Sequence, residues 1–306
     1  MCIRDSSCTA SLVTPALRVS GARRAGARRA SRGPVRVAAS SVEEIAGTGD
    51  LPAVRLTAKN GDTATAYLFG GVVTSFVKNG RDVLYVRPDA VFDKSKPISG
   101  GLPHCWPQFG PGDIQVHGFA RNVDWALTET KEGDAPSITM TLLPSEYTKA
   151  MWDKDFKVTQ TITLEDGALT ATMKVTNPGA EAFSFTGSFH TYFAAKIDEV
   201  AVTGMEGCES LDRLANEKGS VDGAVTISGP VDSVYYDVPK DITLAVGGGD
   251  AVTVSGSGGW KDAVVWSPWT DMEACYKEFV CVENAACAEP VVVEAGGEWE
   301  ATTVLK

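Results

Sequence analysis

A chain of 306 residues with a formal net charge of −11 holds one large domain or two ordinary ones. No apolar run approaches the roughly 18 residues of a membrane-spanning helix, and the acidic balance argues against nucleic acid or anionic lipid as a partner. Beyond residue 40 the cysteines are Cys105, Cys208, Cys275, Cys281 and Cys287, odd in number and without CxxC spacing, which excludes a zinc ribbon and reads as free thiols in a reducing compartment.

The first forty residues have their own chemistry. Arg4, Arg18, Arg23, Arg24, Arg28, Arg29, Arg32 and Arg36 face a single acid, Asp5, among Ala, Ser, Gly and Val. An arginine-rich, acid-poor segment without an apolar stretch predicts an organelle transit peptide over 1–40, disordered rather than folded. The alternative is a basic arm for an acidic partner. Val35-Arg36-Val37-Ala38-Ala39 resembles a plastid processing site, so the plastid stroma is expected ahead of the mitochondrion. Without residues 1–40 the net charge is about −18, suited to a soluble monomer that acts on a small molecule.

From there the chain reads as strands. Val54–Ala58 and Thr65–Phe69 flank Asn60-Gly61, and Val72–Val77 and Val83–Val86 flank Asn79-Gly80. Both are hairpin signals, because Asn and Gly tolerate positive φ. Val158–Glu165 and Leu169–Thr176 flank Asp166-Gly167 and alternate apolar residues with threonines, the mark of antiparallel strands with one buried face. Ile242–Val246, Val252–Val254, Ala263–Trp266, Phe279–Glu283, Val291–Val293 and Thr302–Leu305 continue the series. Only 145–152 and 271–277 read as helical. Many strands, few short helices and no internal repeat predict one all-β antiparallel sandwich domain over 46–306.

Gly100–Gly110, continuing through His117–Asn122, mixes turn formers with aromatics, His104, His117 and Arg121. Such a run is suited to wall a polar pocket. His117 and Arg121 would be donors to an oxygen-rich ligand, while His104 would contact ligand or pack on Trp106. His190 follows an apolar strand and precedes an aromatic turn. Glu283 shares its strand phase with Phe279 and Cys281, so a carboxylate is expected on a buried face. One His and one Glu suit general acid–base work near neutral pH. No phosphate loop or Ser-His-Asp arrangement is present, and three scattered histidines make no metal site, so neither metal nor cofactor is expected.

Gly100-Gly101-Leu102-Pro103, Pro107-Gln108-Phe109-Gly110, His117-Gly118-Phe119-Ala120-Arg121-Asn122, Phe189-His190-Thr191-Tyr192-Phe193 and Cys281-Val282-Glu283-Asn284 occur in that order. In this the chain resembles the glucose-6-phosphate 1-epimerases, the hexose-6-phosphate mutarotases of the galactose mutarotase-like superfamily. The resemblance covers roughly residues 50–306 and implies a β-supersandwich. It implies His190 as general acid and Glu283 as general base in opening and reclosing a sugar ring. His117, Arg121, Asp232, Gln108, His104 and Ser99 would bind substrate, with Arg121 on the 6-phosphate. Two positions depart from the family pattern. Ser99 stands where many members have arginine, and Val116 stands where glutamine commonly precedes the motif histidine, with Gln115 one place earlier. The Ile98-Ser99-Gly100-Gly101 form is similar to that of plastid-type members. Lys94 or Lys96 could supply the missing charge. The departures leave two further readings: a mutarotase for an unphosphorylated or different sugar, and a non-catalytic carbohydrate-binding or regulatory module.

Overall fold

A computed structural model describes residues 40–306; the expected transit peptide lies outside the described residues, save Ser40. The first strand, Ser41–Ala46, begins ahead of the domain start expected at 46. It opens a five-stranded antiparallel sheet that ends at Arg81–Asp82. Two larger antiparallel sheets, of nine and eight strands, follow.

The expected hairpins form where the turn chemistry allows. Val72–Lys78 pairs with Arg81–Asp82 through Lys78 and Arg81, leaving Asn79 (φ 53°) and Gly80 (φ 80°) as the two turn residues, both left-handed. The return strand is this short pair and not the expected Val83–Val86, where Leu84 and Val86 make isolated bridges to Phe193 and Gly100. Pro52–Thr57 pairs with Thr63–Tyr67, and Lys157–Glu165 with Ala168–Thr176 across Asp166-Gly167. The three turns are tied together by Asp62, which is buried. Its carboxylate accepts from the Asn79 N–H at 2.8 Å, the Gly167 N–H at 2.9 Å and the Asn60 side-chain amide at 2.7 Å. No sequence pattern announces this residue as the knot.

Period-2 alternation carries the core. Val158, Ile162, Leu164, Leu169, Ala171, Met173 and Val175 of the nine-stranded sheet share one buried cluster with Ala263, Val265, Val280 and Val282 of the eight-stranded sheet. Each of the valine, isoleucine, leucine and methionine side chains among them contributes about 1.5–3 kcal/mol on full burial. The threonines face away and pair across strands, as Thr172 does with Thr302 at 2.9 Å.

Three local expectations change. Phe279–Glu283 and Val291–Val293 belong to one strand, Phe279–Val293. The weak strand formers between them are held by pairing of Ala285 and Ala286 with Ser188 and Gly187, then by Asp262, which accepts from the Cys287 and Ala288 N–H groups at 2.9 and 2.8 Å. The helix expected at 145–152 forms as Glu146–Met151, closed by a capping box between Ser145 and Thr148. The one expected at 271–277 is two 3₁₀ turns, Trp269–Met272 and Tyr276–Glu278, because Cys275 at φ −147° breaks the helical path. Among the described residues no helix is long and apolar enough to cross a membrane.

Candidate active site

Glu283 lies in the middle of the eight-stranded sheet, where Phe279–Val293 runs between Asp262–Ser267 and Phe183–Phe189. Alternation sends Val280 and Val282 into the core and turns Cys281 and Glu283 to the opposite face. Register then aligns Val264 with Glu283, and Trp266 with both Cys281 and Asp232. Val264, Trp266, Asp232 and Glu283 thus share one wall of a cavity of about 310 Å³. His190 directly follows the neighbouring strand Phe183–Phe189, its backbone N–H donating to the Pro103 carbonyl at 2.9 Å.

His190 Nδ1 stands 3.3 Å from Glu283 Oε1, with the two side chains 8 % and 1 % exposed. Ser188 Oγ donates to the other carboxylate oxygen at 2.7 Å. The His190 ring stacks on Tyr192 and meets Trp266 edge-on. Burial, reinforced by Asp232, pushes Glu283 up to about 8, against the Ser188 hydrogen bond and the charges of Arg213 and Arg121. Burial, then His117 and Arg121, drives His190 well below its ordinary value. Near neutral pH the pair therefore holds one proton, on the carboxyl group, beside a neutral imidazole.

His117 faces His190 edge-on at 5.4 Å between ring centroids. Its Nδ1 accepts from the Gly110 N–H at 3.1 Å and lies 3.0 Å from Cys105 Sγ. Burial pushes the Cys105 thiol up to about 12, so it keeps its proton. With Nδ1 occupied as an acceptor, the neutral ring carries its hydrogen on Nε2. Burial and the charges of Arg121 and Arg213 hold His117 down at about 3, so it stays neutral. The loop needs its glycine here: at Gly118, φ 69°, a Cβ would lie 2.1 Å from the Trp106 carbonyl oxygen. Arg121 Nη2 is steadied by the Val116 carbonyl at 3.2 Å, while its buried Nε has no partner among the described residues.

The aldose 1-epimerase family model matches residues 52–306. The chain belongs to that family. A relative from Cenchrus ciliaris, provisionally assigned as a glucose-6-phosphate 1-epimerase, is 34 % identical over 79 % of this chain and 80 % of its own length. One from Escherichia coli K12, assigned in the same way, is 31 % identical over 68 % and 74 %. The crystal structure of a Salmonella typhimurium protein described as a mutarotase superposes with a TM-score of 0.78 at 25 % identity, covering 87 % of this chain and 92 % of its own.

Within this aldose 1-epimerase, the cavity brings together His117, Arg121, His190, Asp232 and Glu283, and other residues expected to bind substrate lie elsewhere. His104 is fully buried, its Nε2 2.9 Å from Gln160 Oε1 and its ring stacked on Trp125, and burial holds it near 4 as a neutral core residue. Gln108 spends its amide on the loop, donating to the Gly110 and Ile114 carbonyls and accepting from the Ile114 N–H. It shapes the wall without facing the cavity. Ser99 does not line the cavity; its carbonyl accepts from the Arg87 N–H. Lys94 is paired with Asp124, and neither it nor Lys96 reaches the site. Trp106 and Phe119 are core residues that pack on each other and on Phe156, so much of the aromatic content of the 100–122 run is structural.

Two cationic residues of this epimerase escaped the sequence reading. Arg213 places Nη1 3.3 Å from Asp232 Oδ1 and its guanidinium 5.1 Å above the Phe109 ring. Arg87 also lines the cavity, as do Tyr192 and Met272. Arg213 follows an irregular hairpin strand and Arg87 a Tyr-Val pair; neither has a local pattern that separates it from a surface arginine.

Proposed function

We propose that this chain interconverts the α and β anomers of glucose 6-phosphate, with Glu283 as general base and His190 as general acid. The observation that carries this reading is the buried Glu283–His190 contact inside a cavity edged by arginines. Glu283 takes the proton of the anomeric hydroxyl while His190 gives a proton to the ring oxygen, and the C1–O5 bond breaks. Rotation about C1–C2 and the reverse transfers close the other anomer. Each positioned group is worth about 10²–10⁴-fold in rate.

The chemistry starts from the arrangement with the shared proton on His190. Burial favours the other arrangement, in which it rests on Glu283, and the two differ by moving one proton at constant total charge. Arg121 opposes protonation of His190. A phosphate dianion against Arg121 offsets that charge and tips the proton toward the imidazole, so the phosphate handle both anchors the sugar and readies the acid. His117 Nε2–H and the Asp232 carboxylate supply a donor and an acceptor for sugar hydroxyls. Plastid localisation is part of the same proposal. It is supported by the arginine-rich first forty residues and tested by import of the tagged chain into isolated chloroplasts.

Anomer exchange followed by NMR, with α-glucose 6-phosphate and α-glucose compared under identical conditions, tests the substrate. The expected result is a kcat/KM at least tenfold higher for the phosphate ester. Equal values for the two sugars would favour an unphosphorylated substrate, and sugar binding without exchange would favour a non-catalytic module.

A further inference from the structure

We propose that Arg87 is a second guanidinium for the substrate phosphate, acting alongside Arg121; this rests on the glucose 6-phosphate reading above. Arg87 lines the same cavity as Arg121, His190 and Glu283. Its side chain is 16 % exposed, too buried for a free surface arginine. Asp89 holds it in a two-pronged grip, with Nε to Oδ1 at 2.9 Å and Nη2 to Oδ2 at 2.6 Å. A guanidinium has five donor hydrogens, and this grip occupies the Nε edge of the fork. Nη1 has no hydrogen-bond partner among the described residues, so the group is aimed by Asp89 and keeps donors for an anion.

The backbone fixes where this arginine stands. Val86 and Gly100 form an antiparallel bridge, and Arg87 N–H donates to the Ser99 carbonyl at 3.0 Å. The close approach depends on Gly100, whose added Cβ would sit 2.5 Å from Val86 Cα. Arg87 and Ser99 are therefore neighbours across two paired segments, the spacing at which a long side chain from either position reaches common space. Position 99 carries a short hydroxyl and leaves that space to Arg87. Lys94, the nearby alternative, is engaged by Asp124. Both guanidiniums line the cavity that holds the catalytic pair, and the charge of each opposes protonation of His190. Phosphate binding between them removes two charges that oppose the His190 proton. Arg213 stands beside Asp232, the residue assigned above to the sugar hydroxyls, with its guanidinium over the Phe109 ring.

The experiment measures anomer exchange of glucose 6-phosphate and of glucose by wild type, Arg87→Gln, Arg87→Lys and the double variant Arg87→Gln/Ser99→Arg. Arg87→Gln is expected to raise KM for glucose 6-phosphate about tenfold to a hundredfold, the loss of charge-assisted hydrogen bonds, and to change KM for glucose by a much smaller factor. Inhibition by inorganic phosphate weakens by the same factor. Arg87→Lys falls between, because a point charge replaces the fork, and arginine at position 99 recovers most of the KM. If both single variants keep the wild-type KM, or if KM rises equally for the two sugars, Arg87 does not bind the phosphate. A wild type that does not distinguish the sugars overturns the substrate reading and this inference with it. A wild type that prefers the phosphate ester, with Arg87→Gln preferring it equally, overturns this inference alone.

Discussion

The Asp62 knot and the Glu283–His190 pair are both buried polar clusters, and they are built to opposite ends. At Asp62 three donors from three turns meet one carboxylate at 2.7–2.9 Å. At the cavity a carboxylate and an imidazole stand 3.3 Å apart, while His190 Nδ1 and Arg121 Nε lack hydrogen-bond partners among the described residues. A satisfied buried cluster adds stability; one left short of partners holds its capacity in reserve for a ligand. The first cluster holds hairpins in place, and the second keeps proton affinities shifted.

Separate substitutions should pull stability and activity apart. Glu283→Gln and His190→Asn are expected to lower kcat by about 10²–10⁴-fold with the fold retained, as checked by NMR anomer exchange and circular dichroism. Loss of the fold in both would show that the pair is structural. Asp62→Ala should do the reverse, costing about 2–4 kcal/mol in urea unfolding, because three donors lose a charged acceptor, with kcat unchanged. An inactive but stable Asp62→Ala protein would break the contrast.

A smaller effect sharpens it through pH. Folding raises Glu283 from 4.5 to about 8, so the folded chain keeps a proton that the unfolded chain has released. The stability tied to that proton is full below 4.5 and is lost as pH rises toward 8. The three histidines are all shifted down and contribute an opposite slope only below 6.5. Between pH 6.5 and 8, wild type is therefore expected to lose about 2 kcal/mol, whereas Glu283→Gln stays flat. Parallel urea titrations across that window decide it. The kcat/KM profile of wild type should fall above about pH 8, where the pair loses its one proton.

The hairpins were legible because their information is local. Asn79-Gly80 dictates its own turn, and alternation dictates which face of 158–176 is buried. Glu283 was legible in phase, since Cys281 and Phe279 mark its strand, and its nearness to His190 came from resemblance rather than spacing. Asp62, Arg87 and Arg213 were not legible. Asp62 and Arg213 work through partners distant in sequence, Arg87 is set in place by the pairing of its backbone with Ser99, and an arginine in a cleft has the same sequence signature as one in water. His104 and Gln108 misled for a related reason. Both sit in a motif rich in polar residues, but one is consumed by Gln160 and Trp125 and the other by its own loop.

The strand Phe279–Val293 has a neighbour on each side, and its first eight residues are buried on both faces. Its amides between 280 and 286 should exchange with deuterium only through global unfolding, on the slowest timescale the molecule offers. The general base proposed at Glu283 is thus mounted on the most protected backbone, and substrate has little further slowing to add there. The response to a bound sugar belongs instead to the irregular wall around Gly110 and His117. There a ligand that locks the His117 ring also locks the Gly110 N–H that it accepts, which makes that single amide a reporter of occupancy.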